Sequence, residues 1–153
     1  LWNGKDKPPE GSDKLVSSTG KVEKRIIRSR SGHTITFNDT DNEGKVSIID
    51  KTEKNSIEID SQKNSIVVKA KDKTEIQTEG GHKILLDDPG GKIEVADKSG
   101  SNSIKIDAMQ NSITIESATQ LKFKAQTVEI EGTMTTIKGN GVLTLQGGVI
   151  KIN

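Results

Sequence analysis

From Gly32 to the C-terminus one short pattern recurs about every nine residues: two aliphatic side chains separated by a single polar one. Clear units are Ile35-x-Phe37, Val46-x-Ile48, Ile57-x-Ile59, Ile66-x-Val68, Ile84-x-Leu86 and Ile93-x-Val95. They continue as Ile104-x-Ile106, Ile113-x-Ile115, Leu121-x-Phe123, Val128-x-Ile130, Leu143-x-Leu145 and Ile150-x-Ile152, with weaker units centred on Ile76 and Ile137. Alternation with period two puts the apolar pair on one face of a strand and the polar residues on the other. Turn formers separate the units, among them Asp39-Thr40-Asp41-Asn42-Glu43-Gly44, Gly80-Gly81, Asp87-Asp88-Pro89-Gly90-Gly91, Ser99-Gly100, Gly139-Asn140-Gly141 and Gly147-Gly148. The strands are therefore short, roughly 4–6 residues each. Four units carry Asn-Ser-Ile, beginning at Asn55, Asn64, Asn102 and Asn111. Asparagines at such corners are expected to satisfy backbone groups. Helix is expected to be nearly absent, because even 117–126 contains the alternation Leu121-x-Phe123.

One unit buries only two aliphatic side chains, which does not offset the entropy of ordering its own backbone. Units must stack, so that neighbours complete both the hydrogen-bond ladder and the apolar core. A single chain could wind into a solenoid, or three chains could intertwine, each giving one strand per layer. Composition favours the second. Hydrophobic residues are 29% of the chain, and its aromatics are Trp2, Phe37 and Phe123. A narrow axis shared by three copies needs the fewest apolar residues per chain. The paired residues named above from Ile35-x-Phe37 through Leu143-x-Leu145, Phe37 and Phe123 included, are its expected trimer core. Stacked about ~4.8 Å apart, the units would make a rod of roughly 65 Å, closed on itself and without lateral edges.

The remaining chemistry is sparse. Lys plus Arg number 23 and Asp plus Glu 22, so the charge of +1 gives no reason to expect nucleic acid as a partner. The stretch 21–30 is basic, with Lys21, Lys24, Arg25, Arg28 and Arg30 against Glu23, and reads as a solvated or trimer-facing strand. The absence of cysteine excludes disulfides, thiolate metal sites and thiol nucleophiles. His33 and His82 each follow a glycine, but no second ligand type stands at coordinating spacing, so both read as turn positions and no metal is expected. Asp87-Asp88 and Glu129/Glu131 are carboxylate pairs without sugar-stacking aromatics, and read as solvated surface. No catalytic residue and no cofactor is expected.

Ser29-Arg30-Ser31-Gly32-His33-Thr34-Ile35-Thr36-Phe37-Asn38-Asp39 resembles the segment that opens the β-helix of VgrG proteins and phage baseplate spike proteins. Leu1-Trp2-Asn3-Gly4, followed by Pro8-Pro9, is similar to the exit from that family's OB-fold domain. Val46-Ser47-Ile48-Ile49-Asp50 and the Asn-Ser-Ile units resemble its following rungs, and Gly148-Val149-Ile150-Lys151-Ile152-Asn153 its blunt end. The resemblance implies an all-β fold: an intertwined trimeric β-helix, a triangular-prism shaft of short strands. Residues 1–31 would be the connector from a missing OB-fold domain and 32–153 the shaft. The lack of an initiator Met likewise reads as a piece of something longer.

The resemblance further implies the membrane-piercing central spike of a contractile injection machine, at the tip of a phage tail or type VI secretion apparatus. The implied assembly is a homotrimer, and this chain is expected to be no enzyme. Its partners are baseplate or hub proteins on the N-terminal side and, transiently, the target cell membrane. A PAAR-repeat tip protein would dock on the C-terminal edge, here Val149, Ile150, Lys151, Ile152 and Asn153. The competing reading is a β-solenoid adhesin or lipopolysaccharide-binding module.

Overall fold

The computed structural model describes residues 15–151. Among them there is no helix; the regular structure is ten five-residue strands in two antiparallel sheets. Sheet 1 holds β1 (Lys24–Arg28), β2 (Thr34–Asn38), β3 (Lys45–Ile49), β4 (Ser56–Asp60) and β5 (Ser65–Lys69) in chain order. Sheet 2 holds β6 (Lys73–Gln77), β7 (Lys83–Asp87), β8 (Lys92–Ala96), β9 (Ser103–Asp107) and β10 (Ser112–Glu116), also in chain order. Each strand pairs with the next, so each sheet is a meander of hairpins. β1 lies within the stretch expected to be connector, yet it pairs in full with β2. The expected OB-fold exit at residues 1–14 lies outside the described residues.

This pairing refines the expected stacking. Through 24–116 the ladder within each sheet is filled by consecutive strands of one chain. A five-residue strand followed by a four-residue turn also repeats every nine residues, so the sequence period fits a hairpin meander as well as an interleaved rung.

The two sheets are copies of one design. Gly44-Lys45, Asp50-Lys51, Asn55-Ser56-Ile57 and Asn64-Ser65-Ile66 recur 47 residues on as Gly91-Lys92, Asp97-Lys98, Asn102-Ser103-Ile104 and Asn111-Ser112-Ile113. Upstream of them, Gly32-His33 recurs 49 residues on as Gly81-His82, because the link 39–44 of sheet 1 is two residues longer than its counterpart 88–91. Turn chemistry repeats too. Asp50 accepts hydrogen bonds from the Asn55 backbone N–H at 3.1 Å and from Asn55 Nδ2 at 3.2 Å. Asp97 accepts the same pair from Asn102, at 3.3 and 2.8 Å. Asn64 and Asn111 both sit at the left-handed φ of 50°, which asparagine tolerates better than other side chains do.

The second compact unit, Thr119–Asn153, is different. Its described residues form neither strand nor helix. The strands expected around Leu121-x-Phe123, Val128-x-Ile130 and Leu143-x-Leu145 find no ladder partner among the described residues, although the alternation is intact.

Candidate interaction surface

Register decides which side chains share a face. In sheet 1, Ile35 and Phe37 oppose Ile48 and Val46, which oppose Ile57 and Ile59, which oppose Val68 and Ile66. In sheet 2, Ile84 and Leu86 oppose Val95 and Ile93, then Ile104 and Ile106, then Ile115 and Ile113. Every expected core residue in the sheets thus falls on one face of its sheet, and Ile27 and Ile76 extend the two rows onto β1 and β6. Side chains directly opposite one another in this way are the close pairs of an antiparallel sheet.

Among the described residues of the two sheets, none covers these rows. Phe37, Ile48, Ile57, Ile84, Ile93 and Ile104 are each 42–49% exposed, and the edge-strand residues Ile66 and Ile113 reach 71%. Monomeric proteins rarely leave so long an ordered apolar face open. The faces also turn toward common space. A hollow beside the link between the sheets takes lining from Val68 of sheet 1 and from Thr74, Leu86, Ile93 and Ile106 of sheet 2.

The opposite faces shield themselves. There Lys45 pairs with Glu58 at 3.0 Å and Asp60 at 3.6 Å, Lys83 with Glu94 at 2.9 Å, and Lys105 with Glu116 at 3.6 Å. Beneath such long paired side chains lie Leu85 and Ala96, the buried hydrophobic residues among those described. Exposed ion pairs add little stability, so this face is solubilising and the aliphatic face must supply the burial energy. The basic stretch is partly neutralised by the 39–44 link: Lys21 pairs with Asp41 at 2.6 Å, and Arg25 with Asp39.

Corner carboxylates are held ionised by the turns they tie. Hydrogen bonds from the Asn102 side chain and the Ser99 hydroxyl bring Asp97 down to about 2. Asp50 is lowered by the Thr52 hydroxyl and the Asn55 backbone, and Asp60 by the Lys63 backbone N–H and its neighbouring lysines. Depressed carboxyls stabilise the fold fully above their unfolded value of about 3.9. That contribution is lost as pH falls through the folded values. Chemical denaturation followed by circular dichroism is therefore expected to give a flat stability from pH 7 to about 5 and a steep fall between about 4 and 2. Asp97→Asn should make that fall shallower.

The other singled-out residues are structural in the chain. His33 Nδ1 accepts the Lys51 backbone N–H at 3.3 Å. Asp87 accepts the Gly90 N–H at 3.0 Å in its turn. Asn55 and Asn102 accept backbone N–H groups from Lys71 and Ala118, at 3.0 and 3.1 Å, as corner asparagines were expected to do. No group of three or more His, Asp or Glu side chains placed to hold a metal occurs among the described residues.

At the expected C-terminal docking edge, Val149 and Ile150 are 79% and 51% exposed, and Lys151 is exposed outside any strand. Ile152 and Asn153 lie outside the described residues. Sequence reading missed the sheet-length duplication, which an alignment of 44–66 against 91–113 would have found. Compared with known proteins, the chain matches no family model and no curated protein sequence.

Proposed function

We propose that this chain is a structural protein, the shaft of a homotrimeric spike, and that its aliphatic faces are the inner walls of a three-sided prism. The observation that carries this reading is the pair of ordered aliphatic faces that a single copy leaves open. Three copies, each giving one wall at every level, would cover those faces and leave the ion-paired faces outside. In 119–151 the same alternation continues with no ladder partner in the chain, and there the three copies would interleave strand by strand, as a β-helix does.

Assignment to a contractile injection machine, of phage tail or type VI type, rests on the resemblance of 29–39 and of the Asn-Ser-Ile rungs to VgrG and baseplate spike proteins. The role is mechanical: a stiff shaft driven through a target envelope. Baseplate or hub proteins would hold its N-terminal side. A PAAR-repeat tip protein would sit on the C-terminal edge, where Val149 and Ile150 offer apolar surface.

Sedimentation equilibrium tests the assembly. The expected particle has three times the chain mass of 16.5 kDa. A folded species at 16.5 kDa would remove the basis for the reading, which is that the described residues of one copy leave these faces open.

A further inference from the structure

The link between β5 and β6 spans 70–72, shorter than any hairpin link in either sheet, yet these two strands do not pair. Two hydrogen bonds explain why. The Lys71 N–H donates to Asn55 Oδ1 at 3.0 Å, on the turn where β3 gives way to β4. The Asp72 carbonyl accepts the Asp88 N–H at 2.9 Å, at the residue that follows β7. Alternate strands of a meander run the same way, so β5 finishes at the end of sheet 1 that carries the Asn55 turn. By the same rule β6 starts at the end of sheet 2 where β7 stops. The chain is thus pinned to one sheet at Lys71 and to the other at Asp72, and runs on instead of folding back.

Both pins occur twice. The Glu23 carbonyl accepts the Asp39 N–H at 2.6 Å at the start of sheet 1, and the Ala118 N–H donates to Asn102 Oδ1 at 3.1 Å at the end of sheet 2. The same two devices therefore open and close both copies of the sheet, and 70–72 is a built step between them. Each side of the step has an open backbone edge. The aliphatic residues there are the barer ones: Ile66 of β5 is 71% exposed and Ile76 of β6 is 66%, against 42% and 45% for Ile57 and Ile59 of β4. An open edge of this kind takes up a further strand.

Resting on the trimeric reading above, we infer that each chain changes walls at 70–72, and that β5 of one copy pairs with β6 of a neighbouring copy. With all three chains stepping one wall around, every wall carries sheet 1 of one copy beside sheet 2 of another. The two open edges then meet. Both strands cross the wall in the same sense, so this junction is parallel, whereas every other pairing in the sheets is antiparallel. The step ties the three copies together midway along the sheets, and no protomer can leave without breaking ladder bonds to both neighbours.

Because the chain has no cysteine, engineered pairs report on this junction directly. Val67→Cys is combined in turn with Lys73→Cys, Glu75→Cys or Gln77→Cys, which samples the register on the outward face. After oxidation, at least one pair is expected to give a covalent ring of three chains on a non-reducing denaturing gel, absent from each single variant. A band of one chain carrying an internal disulfide would overturn the wall change, as would the lack of any cross-link in protein that sediments as a trimer. Sedimentation of the cysteine-free protein keeps the two readings apart. A monomer there defeats the trimer itself, whereas a trimer with internal disulfides defeats only the step.

Discussion

Ile104→Asp is expected to abolish the proposed trimer, so that the variant sediments at one chain mass at micromolar concentration. Ile104 lies in the middle of the aliphatic row of sheet 2, opposite Val95 and Ile115. In the proposed shaft its side chain would face the axis, so the substitution would bring three carboxylates to one level. Burying an unpaired charge costs several kcal/mol even after the protein relaxes, and mutual repulsion adds to that three-fold. The neighbouring Lys105→Ala is the control. Lys105 projects from the opposite face and pairs with Glu116 at 3.6 Å while 42% exposed; its loss leaves the mass unchanged. Equal behaviour of the two variants would mean that the faces have been assigned wrongly.

Gly81→Val lowers the thermal midpoint of the assembly by on the order of 5 °C, while Gly100→Asn leaves it within about 1 °C. The difference lies in φ. The turns between β1 and β2 and between β6 and β7 place Gly32 and Gly81 at +103° and +92°, beyond the left-handed region that any L side chain occupies comfortably. Such strain costs about 1–3 kcal/mol per site and is felt in every copy. A Cβ at Gly81 would also stand 3.3 Å from Lys98 Cβ. Gly100 lies at +73° with open space around it. The protein contains its own control at the equivalent position of sheet 1, where Glu53 adopts +59°. Differential scanning calorimetry of the two variants distinguishes a glycine that the backbone demands from one that it merely accepts.

Much of this was legible in the sequence. Period two is fixed by strand geometry, so Ile93-x-Val95 and Ile104-x-Ile106 could be assigned to one face before any partner was known. The turn residues were legible for the same reason, since Gly32-His33 and the Asn-Ser corners are local chemistry. Pairing was not. Nine residues from Ile57 to Ile66 give the same side-chain pattern whether β5 turns back on β4 or a strand of another chain lies between them. The hairpin is closed by the Gln62 and Lys63 N–H groups, which donate to Asp60 Oδ1 at 3.0 and 2.9 Å. The break after Lys69 was hidden too. Ala70-Lys71-Asp72 falls within the usual range of hairpin loops, and only the distant acceptor on Asn55 shows that the chain runs on. In 119–151 the alternation predicts strands that the described residues do not form, because alternation shows which side chains would share a face and not what the backbone pairs with.

In the proposed shaft the meander would also set how load is carried. Ladder bonds lie across the strands, hence along the direction in which strands are stacked. A thrust in that direction squeezes backbone against backbone, and compression meets steep short-range repulsion in all bonds of a layer together. Peeling is the weak mode, because it opens a ladder pair by pair from a loose end. Lys71 fastened to Asn55, and Ala118 to Asn102, are rivets at the ends of β5 and β10 where such a tear would begin.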